Sequence, residues 1–205
     1  MRGDNELLLR VAFHQAPRDK WKEVAQLMSL SDGFRGKIIS ASASDPYATK
    51  NAFTVEYEIS QPKFVDWSKK PVRIPAPLPV LTVPDLPGKM GGSDKSAPID
   101  LGTPLDVDTR VTLHLPPGTS VETPTGTVVD RDYATFASRY TTDAGTVTAI
   151  RHINFLHRQL AADRTPDYAA FLHAVQTDQA QLLTLTRADT STQSATTTET
   201  HSSKP

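Results

Sequence analysis

Several stretches of this chain alternate apolar and polar residues with the two-residue period of a half-buried strand. Phe53, Val55, Tyr57 and Ile59 alternate with Thr54, Glu56 and Glu58. Val111, Leu113 and Leu115 alternate with Arg110, Thr112 and His114 until Pro116-Pro117-Gly118 stops the run. Residues 133–141 and 146–156 carry the same texture on either side of Thr142-Asp143-Ala144-Gly145, a hairpin connection. Other stretches repeat at helical spacing. Behind Pro17, the residues Trp21, Val24, Ala25 and Met28 form a stripe, and Gly33 and Gly36 end it. Arg18, Asp19, Lys20, Lys22 and Glu23 cover the opposite face. Residues 7–13 suit a buried strand or a helix start, so strand, helix, strand is expected, the last strand near residues 37–43. Thr165-Pro166 reads as a cap and first-turn proline. A helix is expected behind it over residues 168–185, with Tyr168, Phe171, Leu172, Val175, Gln179 and Leu182 on one stripe.

Two stretches break these rhythms. Residues 71–104 hold half of the 16 prolines, and proline removes ladder donors, so an extended or loop connection across the surface is expected there. From Thr186 onward Ser and Thr replace large apolar residues, which predicts a disordered tail over 186–205. The pattern thus predicts one mainly β, α+β domain over residues 1–185. Its core is an antiparallel two-layer or sandwich-like arrangement, with a short N-terminal helix and a C-terminal helix covering open faces or edges.

Composition narrows the chemistry. The net charge of −1 and pI near 6.6 give no field that favours nucleic acid. No stretch reaches the roughly 18 apolar residues of a membrane-spanning helix, and Met1-Arg2-Gly3-Asp4-Asn5 opens no secretory signal. Cysteine is absent, which removes disulfides, thiolate metal sites and a thiol nucleophile together. His152 and His157, with Asp163 beyond, are the nearest approach to a metal set, but five residues along a strand puts the histidines on opposite faces. His14, His114 and His173 stand apart from one another.

No serine stands in Gly-x-Ser-x-Gly, and Ser40, Ser42 and Ser44 read as strand edge. Asp130, Arg131 and Asp132 read as a solvated turn. Gly88-Lys89-Met90-Gly91-Gly92-Ser93 lacks the strand and helix that flank a phosphate loop. Phe64 to Trp67 and Val72 to Leu81 suit either an exposed polyproline ligand or a connection packed on the sheet. No catalytic, cofactor-binding or metal-ligating residue is expected.

The order of Arg2-Gly3-Asp4, Leu7-Leu8-Leu9-Arg10-Val11-Ala12-Phe13, Trp21-Lys22, Gly33-Phe34, Ala43-Ser44-Asp45-Pro46 and Phe53 is distinctive. Pro104-Leu105, Leu115-Pro116-Pro117-Gly118, Tyr133 and Arg151 continue it. Across residues 1–185 the chain resembles the C-terminal part of large bacterial proteins built around a transglutaminase-like domain. In that family a β-domain of unknown function precedes the catalytic core, and a further β-region closes the chain. The family's core uses a Cys, a His and an Asp, and with no Cys here no position inherits the nucleophile. The resemblance implies a trailing region, or a reading frame that lost its core, with a periplasmic or cell-envelope setting. The expected function is a non-catalytic accessory or interaction module, its partner a transglutaminase-like domain or another protein. A hydrolase with an unrecognised polar site and a cell-envelope structural or adhesion module are the alternatives.

Overall fold

The computed structural model describes residues 1–68, 70–86 and 97–187. Two helices, α1 (Asp4–Gln15) and α2 (Trp21–Ser31), lead into a hairpin of β1 (Lys37–Ala43) and β2 (Val55–Ser60). Then come β3 (Val72–Pro75), β4 (Ile99–Asp100), β5 (Leu105–His114), β6 (Thr119–Glu122) and β7 (Val128–Asp130). The long hairpin β8 (Ala134–Asp143) and β9 (Thr146–Phe155) is followed by β10 (Gln159–Leu160), α3 (Thr165–Gln179) and β11 (Leu182–Arg187).

The main sheet has the order β5-β9-β8-β7 and is antiparallel throughout. A second sheet, β3-β11-β6, supplies Val72, Ile74, Leu183 and Leu185 to an apolar cluster with Val147 of β9. Beside it, α3 buries Tyr168, Phe171, Leu172 and Val175 against Phe136, Ile153 and Phe155 of the main sheet. The second layer is therefore part helix and part sheet, an α+β sandwich. Phe171 stands edge-on to Phe155 and Tyr133, an arrangement that suits the ring quadrupoles. No helix among the described residues is long and apolar enough to cross a membrane.

Turn chemistry fixes the ends of the elements. Ala144 (φ 43°) and Gly145 (φ 80°) form the two-residue link between β8 and β9, the positive-φ pair whose twist matches a hairpin. At the end of α2, Gly33 takes φ 92° while Phe34 N donates to Ser29 O and Gly33 N to Leu30 O, which uses up otherwise unpaired carbonyls.

Five sequence expectations need correction. Residues 7–13 are no strand but the middle of α1, whose Glu6 and Arg10 pair at i, i+4 over 2.8 Å. The buried face of α1 is Glu6, Arg10 and Phe13, while Leu7, Leu8 and Val11 face outward. The C-terminal helix stops at Gln179 rather than running to 185. Leu183 and Leu185 alternate with the β-branched Thr184 and Thr186, and that period-two pattern makes β11 the centre of the second sheet.

Thr186 and Arg187 thus belong to a strand, not to the tail; the rest of the expected disordered stretch, 188–205, lies outside the described residues. Thr165 is not the cap of α3, since its hydroxyl donates back to Ala162 O and Arg164 holds the cap position. Within the proline-rich connection, Val72–Pro75 is a paired strand rather than loop, because its one proline stands at the end of the strand. The strands β6 and β7 were not read from the sequence at all.

Candidate functional site

The inward faces of β8, β9 and α3 are apolar except at one level. On β9 the buried series runs Val147, Ala149, Arg151, Ile153, Phe155. On β8 it runs Ala134, Phe136, Ser138, Tyr140, and Ser138 lies directly across the ladder from Arg151. On α3 the buried stripe Tyr168, Phe171, Leu172, Val175 ends in Asp178. A polar seam therefore separates the two apolar clusters, with Asp178 1% exposed and Arg151 4% exposed. Polar groups removed from water must find partners or cost free energy.

Asp178 finds its partners on β8. Ser138 Oγ donates to Oδ1 at 2.5 Å and Tyr140 OH donates to Oδ2 at 3.3 Å. Ser138 Oγ also accepts from the Thr127 N–H at 2.9 Å. The chain can pass so closely there because Gly126 has no side chain; a Cβ would stand 2.2 Å from Ser138 O. Arg151 is less well served. Its Nη2 donates to Pro79 O at 2.6 Å, and among the described residues no carboxylate lies within ion-pair reach of it.

Pro79 belongs to a strap, residues 75–80, that crosses the seam. The strap is held at Ala76 N by Gln181 O and at Val80 N by Asp32 O. Just beyond, Gln179 grips the backbone of Leu81 from both sides, accepting at 2.8 Å and donating at 3.2 Å. Between strap and sheet lies a pocket of about 110 Å³, walled by Pro75, Leu78, Pro79, Tyr140, Arg151 and Asp178.

The electrostatics of the seam follow from its burial. Burial, then the Asp178 charge, pushes the Tyr140 phenol up to about 12. A group so far from neutral is a poor proton donor or acceptor at physiological pH. Burial also lowers the Arg151 guanidinium, opposed by Tyr140, Asp178 and Asp32. Asp32 is itself raised by burial and accepts from Tyr57 OH at 2.7 Å.

The residues singled out from sequence fall elsewhere. His152 lies on the solvent face of β9, where Nε2 meets Asp106 Oδ1 at 2.8 Å; with Asp108 these donor atoms lie within 4.8 Å of one another. Neither His157 nor Asp163 joins that group. His14 packs edge-on against Tyr47 with its Nε2 3.3 Å from the phenol oxygen, His114 Nδ1 stands 3.4 Å from Thr146 Oγ1, and His173 is exposed on α3.

Asp130 to Asp132 form more than a solvated turn. Arg131 pairs with Asp167, while Arg164 pairs with both Asp132 and Asp167, which fastens the first turn of α3 to the sheet. The loop at residues 88–93 lies outside the described residues. In the proline-rich stretch the packed connection is the observed state: Val72 and Ile74 are buried, and Val65, Trp67, Leu81 and Val83 lean on the two clusters. Sequence reasoning missed Ser138, Asp178 and the seam role of Arg151. The available signal was a polar residue on the apolar face of each of three neighbouring elements.

The architecture defines an α+β sandwich whose second layer is α3 beside a three-stranded sheet, with a polar seam beneath a proline-rich strap. The family described as a domain of unknown function with solved structure, DUF3858, matches residues 77–185, from the strap to β11, and the chain belongs to that family. No curated protein and no solved structure matches the chain.

Proposed function

We propose that this chain is a non-catalytic accessory and interaction module that works beside a transglutaminase-like domain of a bacterial protein, in the periplasm or cell envelope. The observation that carries this reading is the face of α1. Leu7 is 64% exposed and Leu8 66%, and Val11 is exposed one turn on, whereas the charged Glu6 and Arg10 are buried. A helix that turns its leucines to solvent gains from a second surface to cover them. Tyr47, exposed against His14 on the same helix, adds an aromatic to that face. The absence of any thiol supports the non-catalytic part, because a transglutaminase-type acyl-enzyme needs one. A hydrolase centred on the seam is the other reading. It has less support, since Ser138 donates to a carboxylate and has no histidine as base among its hydrogen-bond partners in the described residues.

Titration calorimetry of the chain against a separately purified transglutaminase-like domain from the same organism tests the proposal. Binding is expected, and Leu8→Glu with Val11→Glu weakens it by tenfold or more, about 1.4 kcal/mol. No heat of binding, or binding that ignores both substitutions, sinks it. So does amine incorporation into a glutamine donor by the pure chain.

A further inference from the structure

We infer that the pocket under the strap binds a primary amide, the chemistry of an Asn or Gln side chain or of a small carboxamide. The inference concerns the isolated chain and holds whichever domain accompanies it. Arg151 is more than nine-tenths buried, lines the pocket and, among the described residues, makes a single hydrogen bond, from Nη2 to Pro79 O. A guanidinium carries five N–H donors, so most of those of Arg151 have no protein acceptor among the described residues, and none of its unpartnered nitrogens is shut off from solvent, so they stay open to a ligand in the pocket. The pocket therefore calls for an oxygen acceptor.

Charge decides which one. Asp178 and Asp32 both act on Arg151, two carboxyl groups against one guanidinium. A carboxylate ligand would add a third negative group, and an ammonium would meet the buried guanidinium directly. A neutral amide escapes both penalties. Its carbonyl oxygen accepts from Arg151. Its N–H groups suit Asp178, whose two oxygens each accept one hydroxyl and retain lone pairs. The volume of about 110 Å³ accommodates a carboxamide tip, and Pro75, Leu78 and Pro79 give the aliphatic stem an apolar wall.

The test is titration of the ¹⁵N-labelled chain with acetamide and, at matched ionic strength, with acetate, following the arginine Nε–Hε signals and the backbone amides of Leu78, Val80 and Gln179. Acetamide is expected to give saturable millimolar shifts confined to these residues, with acetate several-fold weaker. Arg151→Lys, which keeps the charge but loses the fork of donors, should abolish the acetamide response while leaving distant amides in place. Should that variant misfold, Leu78→Trp, which fills the pocket from the strap and leaves Arg151 in place, is expected to abolish the acetamide response, and a retained response overturns the inference. Shifts that never saturate mean that water alone fills the pocket, and they overturn the inference. Acetate binding as tightly as acetamide overturns it too, as does an unchanged response in Arg151→Lys.

Discussion

The N-terminal lobe of α1, α2 and the β1-β2 hairpin contrasts with the sandwich that follows it. In the sandwich, apolar residues face inward on nearly every element, and the polar exceptions Ser138, Arg151 and Asp178 stand at one level. In the lobe, α1 does the reverse. Arg10 is buried by hydrogen bonding rather than by apolar contact. It donates to Glu6 Oε1, to the carbonyls of Asp45, Pro46, Ala48 and Asn51, and stacks over the Phe53 ring at 4.9 Å. Arg2 adds the carbonyls of Thr49 and Lys50. The loop between β1 and β2 is thus organised around two guanidinium groups, because its free carbonyls need donors that no ladder supplies. Once Arg10 fixes the helix on that loop, the leucines one position along must face away.

The contrast breaks first, and most strongly, at the sandwich core. Phe171→Ala removes a fully buried ring among Tyr133, Phe155 and Tyr168 and should cost roughly 3–5 kcal/mol in a urea melt. A cost under about 1 kcal/mol would mean that α3 is a loose appendage.

Arg10→Ala tests the lobe by the opposite chemistry. It leaves Glu6 with Arg2 alone at 3.3 Å, takes the side-chain donor from the carbonyls of Pro46 and Asn51 while Asp45 O and Ala48 O keep their turn hydrogen bonds, and should cost about 3 kcal/mol, as breaking a buried charge pair does. Amide exchange should rise in residues 45–52 and stay unchanged in β8 and β9. Faster exchange throughout the sandwich would show that the two regions unfold as one unit.

The same contrast explains what the sequence yielded. Alternation and the distinctive turn Ala144-Gly145 located β2, β8 and β9 to within about two residues, and β8 and β9 each have one face in an apolar cluster. Leu182 extended the helical stripe of α3 by accident of spacing, which masked the switch to β11. The short β6 and β7 carry too few residues for a period. In α1 the pattern misled because burial there follows hydrogen-bond demand from a distant loop, information absent from residues 7–13 themselves. The seam was hidden for a related reason. Ser138 and Arg151 become neighbours only through the β8-β9 register, and Asp178 only through the docking of α3.

A smaller effect comes from the ion pairs at the start of α3. Hydrogen bonds from Arg164 hold both Asp132 and Asp167 below the ordinary carboxylate range, with help from Arg131 at Asp167. Depressed carboxylates add stability above their unfolded pKa, near 3.9, and lose it as pH falls through the folded values. Both groups face solvent, which screens the gain. Stability should therefore decline between roughly pH 5 and 3, and Arg164→Ala should flatten that decline. Identical pH profiles for the two proteins would place the acid sensitivity elsewhere.

The smallest effect is expected where hydrophobicity alone would forecast a large one. Leu8 and Val11 sit mid-helix in an apolar run, and a conventional amphipathic reading would bury them. Both are exposed, so replacing them with glutamate removes little packing and leaves no cavity. Glutamate is also a good helix former. Leu8→Glu and Val11→Glu should each shift the stability of the isolated chain by less than about 0.5 kcal/mol, an order of magnitude below Phe171→Ala. Thermal melts over a wide range of protein concentration make the measurement decisive. A loss above about 1.5 kcal/mol at every concentration would show that the α1 leucines are covered within the folded chain, and the proposed docking face would fall with them. A loss that grows with concentration would instead assign their burial to a second copy.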